Sequence, residues 1–164
     1  MKILVFSDTH GNYKLMRDVI MRNSTDTDLV IHLGDKVEDA DNAMKDFSHI
    51  AFLCVYGNCD FVPMFKTQTS YQTVTLDGVK LMYTHGHRYA VNSGVDNLVY
   101  QAKIEKANIV LYGHTHVSLC ETKNGVTVLN PGSLGFPRDS KGPSYGVIII
   151  DSGKFTCEIV EVEE

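Results

Sequence analysis

The chain lacks tryptophan and carries only four prolines, four cysteines and four arginines among 164 residues. Each scarcity removes a class of protein. Four cysteines (Cys54, Cys59, Cys120, Cys157) without zinc-ribbon or thioredoxin spacing rule out a disulfide scaffold or a cysteine-based metal finger. Cys54, Cys120 and Cys157 are expected inside or along strands, and a reducing, cytoplasmic compartment follows as the default. The arginines are Arg17, Arg22, Arg88 and Arg138, and the formal net charge is −5, so the basic face of an extended nucleic-acid footprint is missing. The longest aliphatic run, residues 147–150, is too short to cross a bilayer. No charged leader with an apolar core precedes the strand-like run at Lys2, so neither a secretion signal nor a membrane partner is expected.

What the chain does have is an ordinary globular composition, 43% hydrophobic and 21% charged, in a length that reads most simply as one domain, 1–164. The first third alternates period and punctuation. Residues 2–7, 28–33 and 50–55 read as strands, and 12–22 and 38–47 as helices, which predicts parallel crossover units. A further helix over 93–106 leads into a strand at 109–112. Three hairpins are then expected: 72–77 with 80–84 around Asp77-Gly78, 117–122 with 126–129 around Lys123-Asn124-Gly125, and 145–151 with 154–162 around Asp151-Ser152-Gly153. Parallel units plus three hairpins predict an α/β protein of two mixed sheets packed face to face with helices outside. Loops are expected at 61–71, 87–95 and 131–144. They carry Phe61, Phe65, Arg88, Tyr89, Phe136 and Arg138, where substrate selection is usually found.

The punctuation is also chemical. Five apolar runs end in metal-ligating residue types: Asp8-Thr9-His10, Gly34-Asp35, Gly57-Asn58, His85-Gly86-His87 and Gly113-His114-Thr115-His116. Ligands gather at the carboxyl ends of strands in a mostly parallel sheet, so residues 8 to 116 are expected to meet at one edge. Taken singly, Asp8 reads as a helix cap, Asp35 and Asn58 as turn residues, and His85 and His87 as loop histidines. Five coincidences at five strand ends argue for a site, and the donor types suit two metals and hydrolysis at phosphorus. Five of the seven histidines lie in these turns. His32, inside an apolar strand, reads as a core histidine, and His49 as a surface or capping one.

These motifs, in this order, resemble the calcineurin-like metallophosphoesterase superfamily, and Asn130-Pro131-Gly132-Ser133 is similar to that family's segment after the last metal motif. The likeness spans about residues 1–150, and the short length with Gly57-Asn58-Cys59-Asp60 resembles the small, cap-free prokaryotic phosphodiesterase branch. The resemblance implies a four-layer α/β/β/α sandwich. It implies that Asp8, His10, Asp35 and His116 hold a first metal, and Asp35, Asn58, His85 and His114 a second, with Asp35 bridging. The cofactors implied are two divalent transition-metal ions per chain, manganese first, with nickel, cobalt, iron or zinc as alternatives, since mixed imidazole and oxygen donors disfavour calcium and magnesium. Two such ions bring about +4 and the two aspartates about −2, which leaves room for a bridging hydroxide and a diester monoanion.

The implied reaction is attack of the bridging hydroxide on a phosphate ester, foremost a diester, in a small-molecule substrate. Many relatives place a histidine after the metal-binding asparagine as leaving-group acid, whereas this chain has Cys59. A thiol does not carry imidazolium's charge, so the acid is missing or comes from elsewhere, with His87 and Asp60 nearest in sequence. Asp35, Asn58 and His87 are therefore the candidate catalytic residues, and Asn58, Cys59, Asp60 and His87 the candidate substrate contacts. The alternatives are a phosphomonoesterase or cyclic-nucleotide phosphodiesterase and, from another class, a protein-binding scaffold built on the same fold, as in a retromer subunit. Hairpin edges and aromatic loop residues leave a homodimer open.

Overall fold

The computed structural model describes residues 1–61 and 69–162. In chain order its elements are β1 (Lys2–Phe6), α1 (Tyr13–Asn23), β2 (Leu29–His32), α2 (Val37–Asp46), β3 (Ala51–Cys54), β4 (Gln72–Leu76), β5 (Val79–Tyr83), α3 (Asp96–Ile104), β6 (Ile109–Leu111), β7 (Leu119–Lys123), β8 (Val126–Asn130), β9 (Ser144–Asp151) and β10 (Lys154–Glu161). They form two five-stranded sheets, ordered β10-β9-β1-β2-β3 and β4-β5-β6-β8-β7. Within the first, β1, β2 and β3 run parallel. Within the second, β5, β6 and β8 do. The three expected hairpins are the antiparallel pairs β4–β5, β7–β8 and β9–β10.

Strand alternation sorts the core into three layers. In β1, Ile3 and Val5 face the other sheet and pack with Ile31, Leu81, Leu111 and Ile148 between the sheets. Leu4 and Phe6 point the other way, onto Met16, Val19 and Ile20 of α1 and Ala40 and Ala43 of α2. Met82, Val110 and Val128 of the second sheet pack outward on Leu98, Val99 and Ala102 of α3. A strand buried on both faces must be apolar throughout, which is why β1, β2 and β6 read as continuous hydrophobic runs. The result is helices, sheet, sheet, helix, the four-layer α/β/β/α order that the sequence predicts.

One local expectation needs revision, and another lies mostly outside the described residues. Residues 87–95 are not an open loop: they contain 3-10 turns at His87–Tyr89 and Val91–Ser93, and Ala90 and Gly94, both at positive φ, flank the second. Cys54 and Cys157 are half-buried on β3 and β10, but Cys120 on the edge strand β7 is exposed. Most of the loop 61–71, including Phe65, lies outside the described residues. His32 is the expected core histidine. The Gly34 N–H donates to its Nδ1 at 3.2 Å, so the ring's proton sits on Nε2, 3.1 Å from Thr9 Oγ1, and burial lowers its pKa. Among the described residues no helix is long and apolar enough to cross a membrane.

Neighbours on β9 test the layering. Ile148 is fully buried between the sheets, whereas Ile149 is 40% exposed. Ile148→Ala should lower unfolding free energy by about 2–5 kcal/mol. Ile149→Ala should lower it by under about 1 kcal/mol. Equal shifts in urea midpoint would contradict the assignment of faces.

Candidate metal centre

The carboxyl ends of β1, β2, β3, β5 and β6 lie along one edge of the sandwich, and the chain turns sharply after each. Five of the residues that follow adopt left-handed backbone: Asp8 (φ 53°), His10 (46°), Asp35 (57°), His114 (70°) and His116 (60°). Non-glycine residues avoid this region at about 1–2 kcal/mol each, and such strain concentrates at functional sites. Glycine precedes Asn58 and His114 for a different reason, close approach. A Cβ on Gly57 would overlap the Asp35 carboxylate, and one on Gly113 would overlap Ser7 Oγ.

One ligand-type atom from each of Asp8, His10, Asp35 and His116 lies within 4.8 Å of all the others. The tautomers follow from what the far side of each ring touches. His116 Nδ1 is 2.7 Å from the Phe136 carbonyl, and His85 Nδ1 is 2.8 Å from the Leu33 carbonyl. A carbonyl only accepts, so each Nδ1 carries the proton and each Nε2 of a neutral ring presents a lone pair. His116 Nε2 then faces Asp8 Oδ1 at 3.1 Å and lies 3.4 Å from His10 Nε2. His85 Nε2 faces Asn58 Oδ1 at 3.2 Å and Asp35 Oδ1 at 3.5 Å. Asp8 Oδ1 is fully buried with no donor in hydrogen-bonding geometry.

Lone pairs held this close to one another need a cation among them. A proton can serve: the approach of the Asp8 carboxylate holds His116 above the ordinary histidine range. Burial would raise the Asp8 carboxyl, but His116, His85 and Ser7 together hold it below its usual value. A metal ion satisfies every acceptor at once, and the mixture of imidazole nitrogen, carboxylate and amide oxygen fits a divalent transition metal. Asp35 stands between two groups of donors. Its Oδ1 is near His85, and its Oδ2 is 3.9 Å from His10 Nε2. His114 lies edge-on to His85, with ring centroids 5.2 Å apart, and its Nε2 is 3.2 Å from the Asn92 carboxamide.

The surrounding contacts fix these positions. Ser7 Oγ donates to Asp8 Oδ2 at 2.5 Å, and the His114 N–H donates to the same oxygen at 3.0 Å. Asn130 Nδ2 donates to the Gly113 carbonyl, and Ser133 Oγ to the Asp8 carbonyl. Ser7 and Asn92 were not evident from the motifs. Ser7 adjoins Asp8 in sequence and was open to detection, whereas Asn92 reaches His114 only through the unforeseen 3-10 turn.

The candidate substrate contacts divide. The Cys59 N–H donates to Asp35 Oδ1 at 2.9 Å, and burial, then Asp35, pushes its thiol up to about 11. That thiol stays neutral near pH 7 and is a weak acid. Asp60 turns away from the cluster. One of its oxygens accepts from the N–H groups of Asp35 and Gly57, at 2.8 Å each. The other accepts from Lys36 at 2.7 Å and Val37 at 2.9 Å, which caps α2 from another part of the chain. His87 sits beside the cluster, its ring centroid 5.4 Å from that of His85, and its buried Nδ1 has no partner. Burial, then His85 and Arg88, lowers its pKa, so the ring is neutral.

The calcineurin-like phosphoesterase superfamily domain matches residues 1–153. The chain belongs to that superfamily. It is 30% identical over 162 residues to a probable metallophosphoesterase of Bacillus subtilis, YsnB, covering 98% of this chain and 91% of the relative. It is 31% identical over 174 residues to the phosphodiesterase MJ0936 of Methanocaldococcus jannaschii, covering 92% and 100%. A solved structure from Streptococcus pneumoniae, described as a predicted phosphoesterase, superimposes with a TM-score of 0.80 at 30% identity, over 98% of this chain and 88% of that one. The matched region contains all the residues of the lone-pair cluster.

The four amide contacts make Asp60 testable. Asp60→Ala leaves all four without their acceptor and should lower stability by about 2–4 kcal/mol. It should also weaken metal binding, because the Asp35 and Gly57 turns lose their common tie. Unchanged melting and unchanged metal stoichiometry would show that the clamp does not matter.

Proposed function

We propose that this protein is a metal-dependent phosphodiesterase acting on small phosphate diesters in the cytoplasm. The observation that carries the reading is the convergence of imidazole nitrogens and carboxylate oxygens on an orphaned buried carboxylate oxygen at the end of β1. Two divalent transition-metal ions held there, manganese first, would supply Lewis acidity toward the phosphoryl oxygens and acidify the attacking water. Asp8, His10, Asp35 and His116 would hold one ion, and Asp35, Asn58, His85 and His114 the other, with the two Asp35 oxygens turned to different sides. The match to the phosphoesterase family model and the likeness to a phosphodiesterase at 31% identity favour the enzymatic reading over a scaffold.

The chain's own residues then do three things. Asp35 and Asn58 orient the centre, and the Asn58 carboxamide stands at its rim. His87, neutral and with a proton on one ring nitrogen, donates a hydrogen bond to a non-bridging phosphoryl oxygen. Cys59 and Asp60 position Asp35 and do not touch substrate: the first through its N–H, the second through the four-amide clamp. No residue in this arrangement is a strong leaving-group acid, since the Cys59 thiol is pushed to about 11 and His87 is held low. The net charge of −5 favours a small substrate over a nucleic-acid polymer.

Chelator-stripped protein with single divalent metals added back should recover hydrolysis of a chromogenic diester, more strongly than of the matching monoester. Asp8→Asn and His116→Ala should each lose bound metal and most of that activity. Full turnover with full metal content in either variant would sink the ligand assignment, and no turnover with two ions bound would favour the scaffold.

A missing acid makes the rate depend steeply on the leaving group. Cys59→His should flatten the plot of rate against leaving-group pKa by supplying a stronger acid. An unchanged slope would place the acid elsewhere.

A further inference from the structure

Beside the cluster one aromatic ring stands in the open. Phe136 is 62% exposed, yet its backbone is hydrogen-bonded on both sides. Its carbonyl accepts from His116 Nδ1 at 2.7 Å, and its N–H donates to Ser133 Oγ at 2.9 Å. Ser133 Oγ in turn donates to the Asp8 carbonyl at 2.7 Å, and the Gly135 N–H donates to the same carbonyl at 3.2 Å. Two residues on, the Arg138 N–H donates to the His116 carbonyl at 2.9 Å. Asp139 then takes the Ser118 N–H and hydroxyl, both at 2.8 Å. A Cβ on Gly135 would overlap the Thr9 carbonyl, so the segment lies directly on the turn that carries Asp8 and His10. The Phe136 ring meets the His10 ring with centroids 5.2 Å apart at 55°.

We infer that Phe136 is the platform on which a planar ring of the substrate stacks, and that the substrates are nucleoside phosphodiesters. The inference deepens the phosphodiesterase reading and rests on it. A ring whose backbone is tied down and which already rests against His10 gives up less freedom when a ligand covers it, so an exposed phenyl here is a partly pre-organised contact. A flat base covers a flat ring face to face, whereas an alkyl chain touches it along a line. The geometry also suits the size. A phosphoryl group at the cluster and a base on Phe136 are separated by the width of His10, a gap that a sugar spans. Arg138, exposed on the same strap, adds positive charge near His116, which suits an anionic ligand.

Binding alone tests this, without turnover. Calorimetry on metal-loaded protein would compare thymidine 5′-monophosphate with methyl phosphate, which share the phosphate and differ in the nucleoside. The wild type should bind the nucleotide about tenfold or more tightly, the usual worth of one stacked base. Phe136→Ala should remove most of that ratio while methyl phosphate shifts little by comparison, and Phe136→Trp should keep it. A wild type that does not distinguish the two ligands overturns the inference, as does a ratio that survives in Phe136→Ala. An equal loss for both ligands would also overturn it, because Phe136 would then act only by positioning His10. If the nucleotide preference holds while no diester is hydrolysed with any metal, the phosphodiesterase reading fails and the ring-binding role of Phe136 stands.

Discussion

Electron pairs that repel one another are held together before any ion arrives, and the rest of the architecture follows from that constraint. Asp8 Oδ1, His116 Nε2, His10 Nε2, His85 Nε2, Asn58 Oδ1 and the Asp35 carboxylate crowd one edge with too few donors among them. Left to themselves, such groups would turn away to water. They are kept in place by hydrogen bonds on their far sides, from ring nitrogens to the Leu33 and Phe136 carbonyls and from Ser7, Cys59 and His114 to the carboxylates. The five left-handed residues, in three turns, add strain to this repulsion. The three-layer apolar core is what can oppose both.

The two sheets divide that labour. The first brings Asp8, His10, Asp35 and Asn58 on three parallel strand ends, and the second brings His85, His114 and His116 on two. Neither sheet alone assembles the cluster, so the interior packing of Ile3, Val5, Leu81 and Leu111 sets the distances at the site. Glycine at 57 and 113 lets the turns meet without a side chain between them.

Much of this was legible in the sequence because strand ends announce themselves twice, by the close of an apolar run and by the ligand that follows. The hairpins were legible through Asp77-Gly78 and Asn124-Gly125, each a local signal. What was not legible depends on partners far apart in the chain. Asp60 looked like a substrate contact because it lies two residues after Asn58, yet its carboxylate is turned to amides contributed by the ends of β2 and β3 and the start of α2. The 3-10 turn at Val91–Ser93, and with it the contact from Asn92 to His114, has no periodic signature to read.

The Asp60 clamp has a mechanical consequence. By tying Gly57, Asp35, Lys36 and Val37 to a single carboxylate, it closes the structural frame at that residue. A displacement of any one of these amides is therefore felt by the other three, so the turn after β2, the turn after β3 and the first turn of α2 move as one piece.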